Sequence, residues 1–384
     1  MAEKGPRPPI PVHVLTGFLG AGKTTLLSRH LKSPALAGTA VIVNEFGEIG
    51  LDHLLVETAD EKIVELSGGC LCCQVRGDLV ATLEDLLRRR DNQRVEPFRR
   101  VVIETTGLAD PAPVMHALML HPYLALRYAL SSVITVVDAV NAMPTLDRHL
   151  ESVRQVAAAD RLVISKSDLL GPDAAARLGA LSGRLRAINA SAPIAVSASA
   201  GDDLERTFGM DRHDPRWHGG GFAAWLRDRD CSGPGDRAES RCEHERGDGH
   251  AHDHARHDDR IASFAVRDDR AIGRAALDLF LDLLRQRHGA QLLRVKGIVK
   301  IAEHPDRPLV MHGVQHVFHP PALLDAWPDG DRASRIVFIT CDGDEAAIAA
   351  LFDAVAAPRC DAARDALEPA NPLATPGGGR FRPR

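Results

Sequence analysis

The stretch Gly17-Phe18-Leu19-Gly20-Ala21-Gly22-Lys23-Thr24 fits the pattern G-x-x-x-x-G-K-[ST], and its flanks decide how the chain folds. It follows the apolar run Val12 to Leu15, which reads as a strand, and precedes Thr25, Leu26 and Leu27, which open a helical pattern. Strand, glycine-rich loop and helix in that order form a cradle for nucleotide phosphates. The glycines let backbone N–H groups turn inward and the helix start adds partial positive charge. Gly17, Gly20, Ala21, Gly22, Lys23, Thr24 and Thr25 are the expected nucleotide-binding residues. Lys23 is placed to reach the β and γ phosphates, and the Thr24 hydroxyl to coordinate Mg²⁺.

Outward from that loop, short runs rich in Val and Ile alternate with amphipathic stretches. Val12 to Leu15, Ala40 to Val43, Ile63 to Leu66, Val101 to Ile103, Val133 to Val137, Leu162 to Ile164 and Ile194 to Val196 read as strands, and the segments between them as helices. The expected fold is α/β, a P-loop NTPase domain with a mostly parallel sheet, its ligands at the strands' carboxyl ends. At 384 residues the chain exceeds the ~250 to 300 at which one core stops growing, so a second domain is expected. Residues 1–209 form the first domain in this reading. Residues 210–260, rich in Gly, Asp, Arg and His, form a flexible linker. Residues 261–357 form a smaller C-terminal α+β domain, with strand-like Ile261 to Val266, Leu292 to Ile301, Leu309 to Phe318 and Arg335 to Thr340 and a helix over Ala271 to Arg287. Residues 358–384 read as a frayed tail.

Hydrophobic residues at 45% and charged residues at 26% rule out a wholly disordered or fibrous chain. A net charge of −5 supplies no global field for nucleic acid or anionic lipid. No apolar run approaches a membrane span, and the Pro-rich start lacks a signal-peptide core, so the expected compartment is the cytoplasm.

Further chemistry gathers where strands end. Val101 to Ile103 leads into Glu104-Thr105-Thr106-Gly107. The carboxylate can hold the Mg²⁺ water shell or orient the attacking water, and the Gly107 N–H can sense the γ phosphate. Asn44-Glu45-Phe46-Gly47-Glu48 follows the second strand as a candidate first switch, and Glu45 joins Lys23 and Glu104 as a candidate catalytic residue. Ser165-Lys166-Ser167-Asp168 is close to the Asn-Lys-x-Asp guanine signature. Asp168 can accept two N–H bonds from guanine while the Lys166 stem covers the ring, although a helix cap with ATP preference is the other reading of Asp168. Ser197-Ala198 suits the base side of such a site.

Cys70, Cys72 and Cys73 crowd into four of the chain's positions and, after strand Ile63 to Leu66, are expected on a loop at the same sheet edge. Adjacent Cα atoms sit ~3.8 Å apart, short of the ~4.4 to 6.8 Å of an unstrained disulfide. Shared ligation of a soft or borderline cation explains them better, with Zn²⁺ ahead of Co²⁺ or Ni²⁺. The fourth position is open to water, to Glu48 or to an incoming protein ligand. Small-hydrophobe packing and a redox role are the other readings. Cys242, His244, His250, His252, His254 and His257 either collect metal weakly or lie in a solvated spacer. His312, His316 and His319 read as scattered surface or satisfied histidines.

Together Gly17 to Thr24, Asn44-Glu45-Phe46-Gly47, Gly69-Cys70-Leu71-Cys72-Cys73 and Glu104-Thr105-Thr106-Gly107-Leu108-Ala109-Asp110-Pro111 closely resemble the CobW-like family of P-loop GTPases, metal chaperones that include zinc transferases. Arg294-Val295-Lys296-Gly297 and Gly313-Val314-Gln315-His316 resemble that family's second domain. Two departures stand out. Ser165 replaces the Asn of the guanine signature, and Val43 stands where many members carry a carboxylate. The resemblance implies GTP hydrolysis coupled to binding and release of a divalent metal, usually zinc, with Cys70, Cys72 and Cys73 in the family's C-x-C-C positions. GTP, Mg²⁺ and Zn²⁺ are the implied ligands. A client metalloprotein is the implied partner, with no nucleic acid and no membrane, and a homodimer stays open. The alternatives are a cobalt chaperone for cobalamin synthesis, a non-catalytic zinc store, and a P-loop kinase or ATPase with structural thiols.

Overall fold

The computed structural model of the chain describes residues 8–31, 33, 36–43, 63–65, 72–197, 260–328 and 330–357, and for 63–65 and 72–78 only the backbone path. In chain order the first unit runs β1 (Ile10–Thr16), α1 (Lys23–Leu31), β2 (Thr39–Val43), β3 (Ile63–Glu65), α2 (Cys72–Asp91), β4 (Arg100–Glu104), α3 (Ala112–Leu120), α4 (Pro122–Arg127), β5 (Tyr128–Asp138), α5 (Ala142–Arg148), α6 (Leu150–Ala158), β6 (Arg161–Ser165), α7 (Ala174–Ile188) and β7 (Ile194–Val196). The seven strands pair in the order β3-β2-β4-β1-β5-β6-β7, every pair parallel. Being covered on both faces, the strands read as apolar runs rather than alternating ones. Within β4, Val101 and Ile103 pack with Leu79, Leu83 and Leu87 of α2, while Val102 faces Leu26 and Leu27 of α1. All three β4 side chains are fully buried.

β1 lies at the centre of the sheet, with β4 on one side and β5 on the other, so the crevice beyond its carboxyl end is a topological switch point. β5 begins five residues earlier than the apolar run Val133 to Val137 implies. Ser131 and Ser132 precede that run, but the Ser132 hydroxyl bonds the buried His13 Nδ1 of β1 at 2.7 Å, so this polar residue lies inside the sheet with a partner. The cysteine segment also differs from expectation. Cys72 and Cys73 are not on a loop but open the 20-residue helix α2, whose 3- and 4-spaced leucines Leu79, Leu83, Leu86 and Leu87 are buried.

The second unit comprises β8 (Ile261–Asp268), α8 (Arg274–His288), β9 (Leu292–Ile301), β10 (His304–Val314), β11 (Val317–Phe318), β12 (Ala322–Leu323), β13 (Ser334–Cys341) and α9 (Glu345–Ala356). Its sheet is antiparallel, ordered β11-β10-β9-β13-β8, with β12 beside β10. Phe280 of α8 and Phe352 of α9 meet edge to face at 5.2 Å over the core of this sheet. The expected single strand Leu309 to Phe318 is broken. Gln315 takes φ 51, and Val314 pairs with Val317 across a two-residue hairpin turn.

The units meet through buried polar contacts. Arg294 and Lys296, two apart on β9 and therefore on one face, both reach Asp160 at the start of β6, and all three side chains are 5% exposed. Asp160 also accepts the Val133 N–H at 2.8 Å. Burial pushes the Lys296 ammonium below its ordinary range, against the opposing pull of Asp160. Removing the single anion strands two buried cations. Asp160→Ala is therefore expected to cost ~3–5 kcal/mol, while Asp160→Leu with Arg294→Met and Lys296→Met should be close to neutral. Urea unfolding of the two proteins checks this, and equal midpoints would refute it. Among the described residues no helix is long and apolar enough to cross a membrane.

Candidate functional site

The loop between β1 and α1 is held in its wrapped form by steric necessity. Gly17 has φ 143, and a Cβ there would stand 2.3 Å from the Val136 carbonyl oxygen of β5. Gly20 and Gly22 take φ 73 and 88 in the left-handed region that side chains disfavour. Lys23 and Thr24 stand in the first turn of α1, with Thr25 exposed beside them. The Lys23 ammonium is buried and donates to Gly17 O at 2.9 Å and Phe18 O at 3.4 Å, so it spans the loop it belongs to.

The Thr24 hydroxyl donates to Glu104 Oε1 at 2.6 Å. Because β4 is the immediate neighbour of β1, its last residue arrives beside the start of α1, and Glu104 is 4% exposed there. The donating hydroxyl keeps its lone pairs, so this hydroxyl and carboxylate form a set of hard oxygens of the kind Mg²⁺ takes together with substrate phosphates. The residues after Glu104 are stitched to the same loop. Thr105 N–H donates to Leu15 O at 2.9 Å, and its hydroxyl to Thr16 Oγ1 at 2.8 Å. A Cβ on Gly107 would lie 2.6 Å from Leu19 N, so only glycine lets this segment approach the loop so closely.

At the next strand ends, Lys166 takes φ 55 and its ammonium bonds Asp138 Oδ2 at 2.8 Å, while Asp168 is exposed in the turn that follows. Burial raises the Asp138 carboxyl, but hydrogen bonds from Lys166, Asn141 and the Val140 N–H outweigh it and hold the group below its ordinary range. Ser165, which departs from the guanine signature, donates its buried hydroxyl to Ala21 O at 2.6 Å and so fastens β6 to the phosphate loop. Ser167 donates to Ser197 O at 3.2 Å, tying the ends of β6 and β7 together; Ala198 lies outside the described residues. A cavity of about 390 Å³ runs beside the loop, lined among others by Phe18, Ala21, Asp138, His149, Gln155 and Lys166.

The structure thus brings Gly17 to Thr25, Glu104, Gly107, Lys166 and Asp168 to one sheet edge. Glu45 and Glu48 of the candidate first switch, Cys70 and the His-rich stretch with Cys242 lie outside the described residues; Cys72 and Cys73 are placed by backbone alone. His312 is buried in β10, with its ring 6.4 Å from that of His319, and the His316 ring is 5.1 Å from that of His116. Two residues escaped the sequence reading. Asp138 carries the same signal as Glu104, a carboxylate closing an apolar strand. Gln155, within the amphipathic α6, carries no signal at all.

A parallel sheet with this loop at its switch point, and a loop threonine bonded to a carboxylate from the adjacent strand, defines a P-loop nucleoside-triphosphate-binding protein. Residues 11–196 match the family described as CobW/HypB/UreG, nucleotide-binding domain, and residues 261–356 match the Cobalamin synthesis protein cobW C-terminal domain. The zinc chaperone YjiA of Escherichia coli is 33% identical over 354 residues, covering 90% of this chain and 98% of its own. The zinc chaperone CobW of Pseudomonas aeruginosa is 33% identical over 377 residues, covering 88% and 90%. The crystal structure of Zn(II)-bound YjiA GTPase superposes with a TM-score of 0.60 at 28% identity, covering 91% of this chain and 99% of that one. The chain belongs to the CobW family of P-loop GTPases.

Proposed function

We propose that the chain is a GTP-hydrolysing metallochaperone that binds Zn²⁺ through Cys70, Cys72 and Cys73 and passes it to a client metalloprotein. Lys23 meets the β and γ phosphates, Thr24 and Glu104 hold Mg²⁺, and Gly107 reads the γ phosphate. Mg²⁺ supplies charge neutralisation of the phosphates when bound. Lys166 and Asp168 recognise guanine, and Glu45 belongs to the first switch, with Glu48 a candidate fourth zinc ligand.

The observation that carries this reading is the strand order. β3, which leads into the cysteine segment, lies only two strands from β4, about 10 Å at the usual strand spacing, and all the strands are parallel. The strand that leads into the cysteine segment therefore ends at the same sheet edge at which Thr24 meets Glu104. A second support is that two of the three thiol positions open a long helix, so they stand close together in the chain's fold. The relatives named as zinc chaperones add the cargo.

Coupling between the two ligands is reciprocal, because an affinity change imposed on zinc by GTP is matched by the change zinc imposes on GTP. A zinc competition titration with a non-hydrolysable GTP analogue and with GDP should give affinities differing by about 5- to 150-fold. Equal affinities would remove the delivery cycle. The same titration with Co²⁺ separates a cobalt cargo from zinc, and absence of GTP turnover would leave the storage reading.

A further inference from the structure

We infer that Gln155 is a positioning residue for GTP hydrolysis, acting through the segment that follows Glu104; the inference rests on the GTPase reading above. Gln155 is 1% exposed, and its Nε2 donates to Gly107 O at 3.1 Å and to Ala109 O at 3.0 Å. Both partners are carbonyls, which only accept, so the amide has one orientation and both of its N–H groups are engaged. The helix that carries it is itself tied to the sheet, since the Thr135 hydroxyl of β5 donates to Gln155 O at 2.7 Å.

Residues 105 to 109 are consequently pinned at two points. Thr105 fixes the near end to β1, and the Gln155 amide fixes the far end to α6. Gly107, held directly by Gln155, is packed so tightly on Leu19 of the phosphate loop that no side chain fits. The position of the Gly107 backbone then depends on the buried Gln155 amide as well as on Thr105. Losing the amide lets the segment lift without altering the P-loop contacts that bind nucleotide diphosphate. The effect belongs to the γ phosphate and to turnover, not to nucleotide affinity in general.

Gln155→Glu keeps the shape and replaces the donor by a carboxylate facing two carbonyls. At pH 8 its kcat should fall roughly 10- to 100-fold, the size of loss a slight misplacement causes, with KM for GTP and GDP affinity close to wild type. A carboxyl so buried and so faced has its pKa raised, and once protonated it regains one donor. The ratio of variant to wild-type kcat should therefore climb as pH falls from 8.5 to 6. Asp138, Arg148, His149 and Lys166 line the same cavity, and Arg154 pairs with Asp110 at 3.8 Å nearby. These groups are common to both proteins and cancel in the ratio. If Gln155→Glu does not fold, Gln155→Met removes the donor without charge and should show the same split between kcat and KM.

Wild-type kcat in either variant, or equal losses of kcat, GDP affinity and thermal midpoint, would overturn the inference. If the wild-type protein turned over no GTP, the parent reading would fall instead. Gln155 would then be judged by whether its variants lower the preference for a non-hydrolysable GTP analogue over GDP.

Discussion

Zn²⁺ affinity is expected to fall by about two decades for each sulfur removed when Cys70, Cys72 and Cys73 are replaced together by Ser, with nucleotide binding left intact. The size follows from zinc sites worth ~10–16 kcal/mol spread over four ligands. Serine keeps the volume but offers a neutral, hard oxygen in place of a thiolate, the wrong donor for a borderline cation at neutral pH. Nucleotide binding should persist because the phosphate loop belongs to β1 and α1, two elements that do not carry the thiols. Competition against a chromophoric chelator reads the zinc affinity, and a fluorescent GDP reads the nucleotide. Stoichiometric tight zinc in the triple variant would mean that the ligands are elsewhere, and His244 to His257 would then be the first stretch to truncate.

Lys23→Ala is expected to lower GTP turnover by roughly a hundred- to a thousandfold, the range seen when one preorganised donor is taken from developing transition-state charge. Lys23 is the loop's only ammonium and stands buried across it, bonded to the carbonyls of Gly17 and Phe18. A substitution to alanine thus removes a positive charge that the low-dielectric surroundings make count. Single-turnover hydrolysis with Mg²⁺ at saturating GTP is the measurement. Retention of wild-type turnover would mean that the hydrolysis does not take place at this loop. Because the Asp160 cluster lies where the two units meet, its variants should leave single-turnover rates alone at temperatures where they stay folded.

The parallel sheet was legible because its strands are buried on both faces and read as unbroken apolar runs with the phosphate loop after the first of them. Elsewhere the sequence pattern is masked by polar residues that tertiary contacts absorb. Ser131 and Ser132 hid the start of β5, since nothing local announces that His13, over a hundred residues away, will bond the second of them. Gln315 hid a hairpin turn inside an apparently continuous strand, because a left-handed residue that is not glycine leaves little trace in sequence. The cysteine segment reads as a loop because the leucine spacing begins only at Leu79, whereas the helix starts at Cys72.

The sequence by itself determined the fold class, the phosphate loop and the grouping of the thiols, because each depends on residues within a few positions of one another. Only the tertiary structure decided that Thr24 bonds Glu104, that Ser165 fastens β6 to the loop, and that Gln155 holds Gly107 and Ala109. Those contacts join residues 80, 144 and 46 to 48 positions apart. They exist because parallel strands bring distant segments to one edge, and a side chain's partner across such an edge is set by strand order, which no local pattern encodes.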